Sequence, residues 1–319
     1  MPEEKDYFKI RGVSSHTLQY FEESPLSFKK KLDEELEEDD KKYLEFGKQV
    51  HMRILEPKRF KQSYTVLDYD TPKSEQQKQF CEDYVGNNDL LVSYSNNYKV
   101  TTSDEKVLVQ ATLLKDKLSK YIEYLSKRKK YKDILTFAKK QKIDTCYAEC
   151  VKHKAASKLL FDNEFSTDKT YNELEILWKH PLYPEMQCKS MIDRLIVDET
   201  NKVIKIVDIK TAISFKNFKD QFKEFNYARQ MSFYIFAAFY YLMHIEKINV
   251  EDYHAEVYLV VIKHQPHTEV KIIQLSEESI NKAIYDIEVL FRDIYWHWTA
   301  DLWDYSKEYY EGNGIEKIE

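Results

Sequence analysis

The 319-residue chain has room for one large core or two smaller ones, and 33% charged and 43% hydrophobic residues with only 5 Gly and 7 Pro exclude a disordered or fibrous polymer. A formal net charge of −6 gives no global signal for nucleic acid, and no apolar run approaches the roughly 18 residues of a membrane span. The N-terminus MPEEKDYFKI has no apolar signal region, and Cys81, Cys146, Cys150 and Cys188 form no Cys-x-x-Cys pair, so the expectation is a soluble, cytoplasmic protein without a membrane anchor or an iron–sulfur cluster.

In chain order, Ser14 or Ser15 caps a short helix, a Ser-Pro break follows, and Leu26 and Phe28 resume an apolar face. The tract from Lys31 to Lys42 is strongly charged and reads as a solvated loop or a helix start. KKYLEFGKQVHMRILEP then carries Leu44, Val50 and Ile54 or Leu55 at helical spacing, and Pro57 ends the run. His51 follows Gly47 by four residues on one face of this helix, where the missing side chain lets a neighbour come close. An isolated helix histidine is more often structural than functional.

Residues 58–102 are mixed, with turn signals at Thr71-Pro72 and Gly86-Asn87-Asn88. Asp104–Arg128 reads as one long amphipathic helix and Tyr131–Leu160 as one or two more. Lys115 to Lys142 holds 11 Lys/Arg against 3 Asp/Glu, a net of +8, whereas Ser276 to Glu319 holds 4 against 11, a net of −7. Such a basic run is commonly just a solvated helical face.

Strands are expected over Leu174–Trp178, Gln187–Val197 and Val203–Lys210, then a helix from about Phe225 with Tyr227, Gln230 and Tyr234 on one stripe. Two further strands, His254–Lys263 and Glu269–Gln274, precede a helix over Glu277–Trp298 and an acidic aromatic tail. The simplest partition is one domain over 1–319. It has a mostly helical N-terminal arm and insertion over 1–165, a core sheet and helix over 166–275, and a C-terminal helix and tail over 276–319.

The informative stretch is CKSMIDRLIV followed by VIKIVDIKT. Alternation along a strand puts Asp208 and Lys210 on one face, and Lys189, Met191 and Asp193 on one face of the preceding strand. Two carboxylates brought together by such a hairpin repel unless a cation lies between them, and hard oxygen ligands select magnesium or manganese. The bland alternative, a surface hairpin with a solvated Asp-x-Lys, is the commoner meaning of that tripeptide alone.

The order is a helix with His51, strands with Glu173, with Asp193 and with Asp208-x-Lys210, then a helix with Gln230-x-x-x-Tyr234. It resembles the PD-(D/E)XK nuclease superfamily, and within it the branch of RecE-type exonuclease VIII and the RecB nuclease domain. VSSHTLQYFEESPLSF, FGKQVHMRILEP, ECVKHKAASKLLFDNEFS and CKSMIDRLIV…VDIKT carry the resemblance, which covers most of the chain. The cysteine pattern of the iron–sulfur nucleases is absent, and no G-x-x-x-x-G-K-(S/T) motif is present.

The resemblance implies an α/β (α+β) fold with a restriction-endonuclease-like core, a mixed central β-sheet flanked by helices. It implies Asp193, Asp208, His51 and the main-chain carbonyl of Ile209 as ligands of Mg2+, with Mn2+ as a substitute, and Lys210 as the group that stabilises the attacking water or the charge developing on phosphorus. Glu173 would orient a ligand or a second metal, Gln230 and Tyr234 would contact DNA or brace the lysine, and Lys189 would touch phosphate. The basic segment around Lys127, Arg128, Lys129 and Lys130 becomes a candidate DNA-binding surface. The implied activity is magnesium-dependent exonucleolytic hydrolysis of linear double-stranded DNA, 5′ to 3′, for recombination or repair. Implied partners are DNA ends, a single-strand annealing protein and further copies of the chain. An endonuclease of a restriction or repair system and a non-cleaving DNA-binding protein are the alternatives.

Overall fold

The computed structural model describes residues 7, 10–33, 42–67, 69–127, 133–161 and 168–316. The chain opens with helices α1 (Ser15–Glu23), α2 (Pro25–Leu32) and α3 (Lys42–Leu55). There follow α4 (Pro57–Ser63), β1 (Tyr64–Leu67), α5 (Glu75–Asn87), α6 (Leu90–Asn97), α7 (Asp104–Lys117), α8 (Ser119–Lys127), β2 (Asp133–Thr136), α9 (Phe137–Lys152) and α10 (Lys154–Phe161). The second half comprises β3 (Lys169–His180), β4 (Tyr183–Asp198), β5 (Val203–Ala212), α11 (Phe215–Glu224), α12 (Tyr227–His244), β6 (His254–Lys263), β7 (Glu269–Gln274), α13 (Glu277–Ala300) and α14 (Lys307–Glu311). No described helix is long and apolar enough to cross a membrane.

Two compact units emerge, one from Met1–Glu56 with Thr145–Glu319 and the other from Pro57–Asp144. The arm read over 1–165 thus falls into three parts, its first and last belonging with the sheet. In the inserted unit β1 and β2 pair in parallel, Tyr64 opposite Asp133 through Leu67 opposite Thr136. Asp133–Thr136, within the segment 131–160 that the sequence predicts as helical, is thus a strand, and the single helix expected over 104–128 is two, parted at Leu118. Leu118, Tyr121 and Leu125, at i, i+3 and i+7, turn into a core with Leu67, Phe80 and Cys81. The turn expected at Gly86-Asn87-Asn88 forms at its last residue: α5 runs to Asn87, and Asn88 caps it in left-handed conformation at φ 57°.

The larger unit is a mixed five-stranded sheet in the order β3-β4-β5-β6-β7, in which only β5 and β6 run parallel. The expected hairpin exists: Asp198 takes the N–H of Asn201 at 2.8 Å, and Lys202 occupies the left-handed position at φ 58°. Before α1 the chain joins the sheet, Val13 N–H donating to Gln187 and Lys189 N–H to Val13, each at 2.8 Å. Helix α12 lies on β3 and β4 through Phe233 and Phe236 against Trp178, and α13 covers α12. An additional helix, α11, precedes it, and Asn226 at φ 48° separates the two.

One irregularity positions the site. Met186, Cys188 and Ile192 share a core with Leu195 and Val197, although their parity differs. The alternation of β4 therefore slips by one between Ile192 and Asp193. β3 makes the matching slip at Glu173, whose φ is 47°, and the pairing keeps its register on either side, Asn172 opposite Arg194 and Leu174 opposite Ile192. The expectation that Lys189, Met191 and Asp193 share a face fails here, because a left-handed residue and its partner turn the strands over.

Candidate active site and metal centre

Pairing between β4 and β5 runs from Asp198 opposite Val203 to Arg194 opposite Val207. There the strands part. The next backbone donor, Ile209 N–H, goes to Asp193 Oδ2 at 2.7 Å instead of to a carbonyl. A ladder bond has been exchanged for a charge-assisted one, which opens a gap between the strands and aims the carboxylate into it.

Side chains reach that gap from both faces of β5. Lys210 and Thr211 are adjacent and point opposite ways. On the Thr211 side, α3 comes so close that a Cβ at Gly47 would lie 3.2 Å from Thr211 Oγ1. The same helix, one turn later, brings His51 Nδ1 to 3.2 Å from Asp193 Oδ2. On the Lys210 side, α12 supplies Gln230, whose Oε1 accepts from Lys210 Nζ at 3.1 Å and whose Nε2 donates to Tyr234 OH at 3.0 Å. Lys210 Nζ also lies 2.8 Å from Asp208 Oδ2 and 4.6 Å from the Tyr227 ring centroid. The contact with Asp208 is an ion pair rather than a well-aligned hydrogen bond.

Ligand atoms of His51, Glu173 and Asp193 all fall within 4.8 Å of one another. Around an octahedral ion at about 2.1 Å, neighbouring ligands stand ~3 Å apart and opposite ones ~4.2 Å, so a small contraction suffices. One imidazole and several carboxylate oxygens form a donor set suited to a hard divalent cation. The residues present fit such an ion.

The electrostatics agree. Burial opposes a charged His51 ring, yet Asp193, Asp208 and Glu173 outweigh it and hold the pKa up to about 9. Burial would likewise raise Asp193, but His51, Lys210 and the Ile209 N–H keep it below the usual carboxylate range. Burial pushes Asp208 up to about 6, with Lys210 pulling down and Asp193 pushing up. Lys210 loses stabilisation to burial and more than regains it from Asp208 and Asp193, so it is held above its ordinary value and charged. Without an ion, protons and the lysine balance a surplus of negative charge.

The structure brings His51, Glu173, Asp193, Asp208, Ile209, Lys210 and Gln230 together. Tyr234, expected to contact DNA or to brace the lysine, is buried at 8% exposure with its hydroxyl bonded to Gln230, the position of a brace. Lys189, expected on phosphate, lies elsewhere: it donates to the Ile10 carbonyl at 2.7 Å and tethers the segment before α1, a consequence of the slip in β4. Lys127 ends α8 in the inserted unit, and Arg128, Lys129 and Lys130 lie outside the described residues.

Sequence reasoning passed over Arg194 and Asn172, which flank the carboxylates. Arg194 is buried, donating from Nη1 to Asn172 Oδ1 at 2.7 Å and from Nε to the Leu159 carbonyl at 2.8 Å. Asn172 Nδ2 donates to the Leu55 carbonyl at 3.0 Å. The available signal was an arginine inside the apolar run SMIDRLIV, since a buried guanidinium needs partners.

Residues 14–308 match the model of a family described as "PDDEXK-like domain of unknown function (DUF3799)". A crystal structure from Eubacterium rectale, described as a "Putative exonuclease", superposes with a TM-score of 0.51 at 11% identity, covering 100% of this chain and 96% of its own. At that identity the likeness is one of fold. No curated protein matches.

Proposed function

Since the chain belongs to the PDDEXK-like family DUF3799, and so to the PD-(D/E)XK superfamily, we propose that it is a metal-dependent deoxyribonuclease acting on the ends of linear duplex DNA. The observation that carries this reading is the convergence of His51, Glu173 and Asp193 within 4.8 Å, beside the Asp208–Lys210 ion pair. A divalent cation held there, Mg2+ or its substitute Mn2+, supplies Lewis acidity toward a phosphodiester oxygen and an attacking water.

The chain's own residues do the remaining work. Asp193, Glu173 and Asp208 provide anionic oxygens and His51 a nitrogen. A strand residue's N–H and C=O point to the same side, so the carbonyl of Ile209 is directed into the same gap as the N–H that Asp193 accepts. Lys210, held protonated and fixed by Gln230, offers N–H to the charge that develops on the phosphate oxygens. One donor preorganised in this way commonly contributes about 3 kcal/mol to transition-state stabilisation.

The finer parts of the proposal are 5′-to-3′ polarity, a homo-oligomer, an annealing partner and a role in recombination or repair. They follow from the likeness to RecE-type enzymes alone; the description of the Eubacterium rectale protein supports only the exonuclease. The test uses linear and closed-circular duplex DNA with wild type and Asp208→Ala. We expect Mg2+-dependent degradation of linear DNA alone, reduced at least ~10³-fold in the variant and abolished by chelator. Cleavage of closed circles would replace the exonuclease with an endonuclease, and no metal-dependent cleavage of either would leave a DNA-binding protein. Earlier release of a 5′ than a 3′ end label would support the polarity.

A further inference from the structure

Helix α11 follows β5 after two residues and carries no role so far. Its Phe215, Phe218 and Phe222 occupy one side, and at 100° per residue Lys216, Lys219 and Lys223 fall within a stripe about 60° wide on another. All three lysines are exposed, and among the described residues none meets an acidic partner. The apolar side fixes the helix to the active site. Phe218 stacks on the Tyr227 ring at 5.7 Å, Phe222 meets it edge-on at 6.1 Å, and that ring lies 4.6 Å from Lys210 Nζ. Exposed Lys271 on β7 continues the positive ground, its Nζ 5.9 Å from the Phe215 ring.

The placement is that of a substrate surface. In sheets with parallel neighbours, ligands gather outside the carboxyl ends of the strands. Helix α11 begins just beyond the carboxyl end of β5, which runs parallel to β6. The spacing suits a polyphosphate. Lys216 to Lys223 spans about 10 Å of helix axis, over which one strand of a duplex presents roughly three phosphates.

We propose that α11 is the rail on which the DNA backbone is held as it leads to Lys210, with Lys216, Lys219 and Lys223 on successive phosphates and Lys271 beside them. This rests on the nuclease reading. It moves the principal backbone contact away from the basic run around residues 115–142, where composition had put it.

The test is duplex binding by fluorescence anisotropy in chelator, where cleavage is absent, across salt concentrations. Lys216→Ala/Lys219→Ala/Lys223→Ala is expected to flatten the slope of log K against log salt by about 2 to 3, at ~0.9 per phosphate contact. The corresponding triple arginine variant keeps the wild-type slope, and Lys202→Ala/Lys247→Ala, just before β5 and past the end of α12, leaves it unchanged. An unaltered slope in the triple alanine variant, an equal loss in the Lys202/Lys247 variant, or no duplex binding by wild type would each overturn the proposal. Cleavage assayed in parallel with Mg2+ separates the two readings. A flattened slope with no wild-type cleavage removes the nuclease and keeps the rail, whereas cleavage with an unaltered slope does the reverse.

Discussion

Arg194 and Asn172 meet across β3 and β4 at 2.7 Å, one residue along from Asp193 and Glu173, and the asparagine's amide also holds the Leu55 carbonyl at the end of α3. The pair ties the strands bearing two carboxylates to the helix bearing His51. Asn172→Ala should weaken Mn2+ binding about 10-fold by calorimetry and cost roughly 1–3 kcal/mol of stability, since a buried acceptor and a buried donor lose their partner. In a His51→Ala background the same change should leave Mn2+ affinity untouched. An equal loss in both backgrounds would show that Asn172 does not act through the histidine.

Glu173 holds a left-handed φ of 47° within a strand, a conformation that disfavours any side chain by about 1–2 kcal/mol. Glu173→Gly should therefore melt at a higher temperature than Glu173→Ala, while both lose Mn2+ affinity to a similar degree. Identical melting of the two would remove the strain from the account.

Gly47 sits where a Cβ would crowd Thr211 Oγ1 at 3.2 Å. Alanine gains up to ~1 kcal/mol in a helix interior, so Gly47→Ala should fold at least as well as wild type yet cleave more slowly. A lift of a few tenths of an ångström is expected to cost about 5-fold, against ~100-fold for a whole ångström. Adding Thr211→Ala should restore the rate; continued loss would place the defect outside that contact.

His180 is 1% exposed and stacked on Phe291 at 4.5 Å, and burial lowers its pKa to about 4. The unfolded chain, near 6.5, binds more protons between those values. Stability from this group is full above pH 6.5 and is lost as pH falls through 4, by up to ~1.4 kcal/mol per pH unit. Melting of His180→Phe should depend less steeply on pH from 6.5 to 4.5 than wild type. Parallel curves would mean that another group drives acid unfolding.

Much of the site could be read beforehand because its chemistry lies in residue types that strands and helices present at fixed intervals. Asp208 and Lys210 two apart, and Gln230 and Tyr234 four apart, meet as those periods require. What escaped notice depends on broken periods. A glutamate forced into a left-handed conformation leaves no mark in its own letter, so the slip that gathers Glu173 with Asp193 and turns Lys189 away was invisible. Helix α11 escapes the sequence because FKNFKDQFKE is short and half charged, and its cap, Ser214, comes only two residues after the end of a strand. The inserted unit's strands, four residues each, are too brief for alternation to register.

The two attachments of α3 have a mechanical meaning. Gly47 rests against Thr211 and Leu55 is pinned by Asn172, with His51 four residues from either. The histidine is thus the midpoint of a beam about 12 Å long, supported at both ends. A displacement at one support arrives at the middle halved, and opposite displacements cancel there. An imidazole on a helix can in this way be held to the tolerance of a strand-borne ligand, and only slackness in both supports in the same direction carries its full displacement to the site.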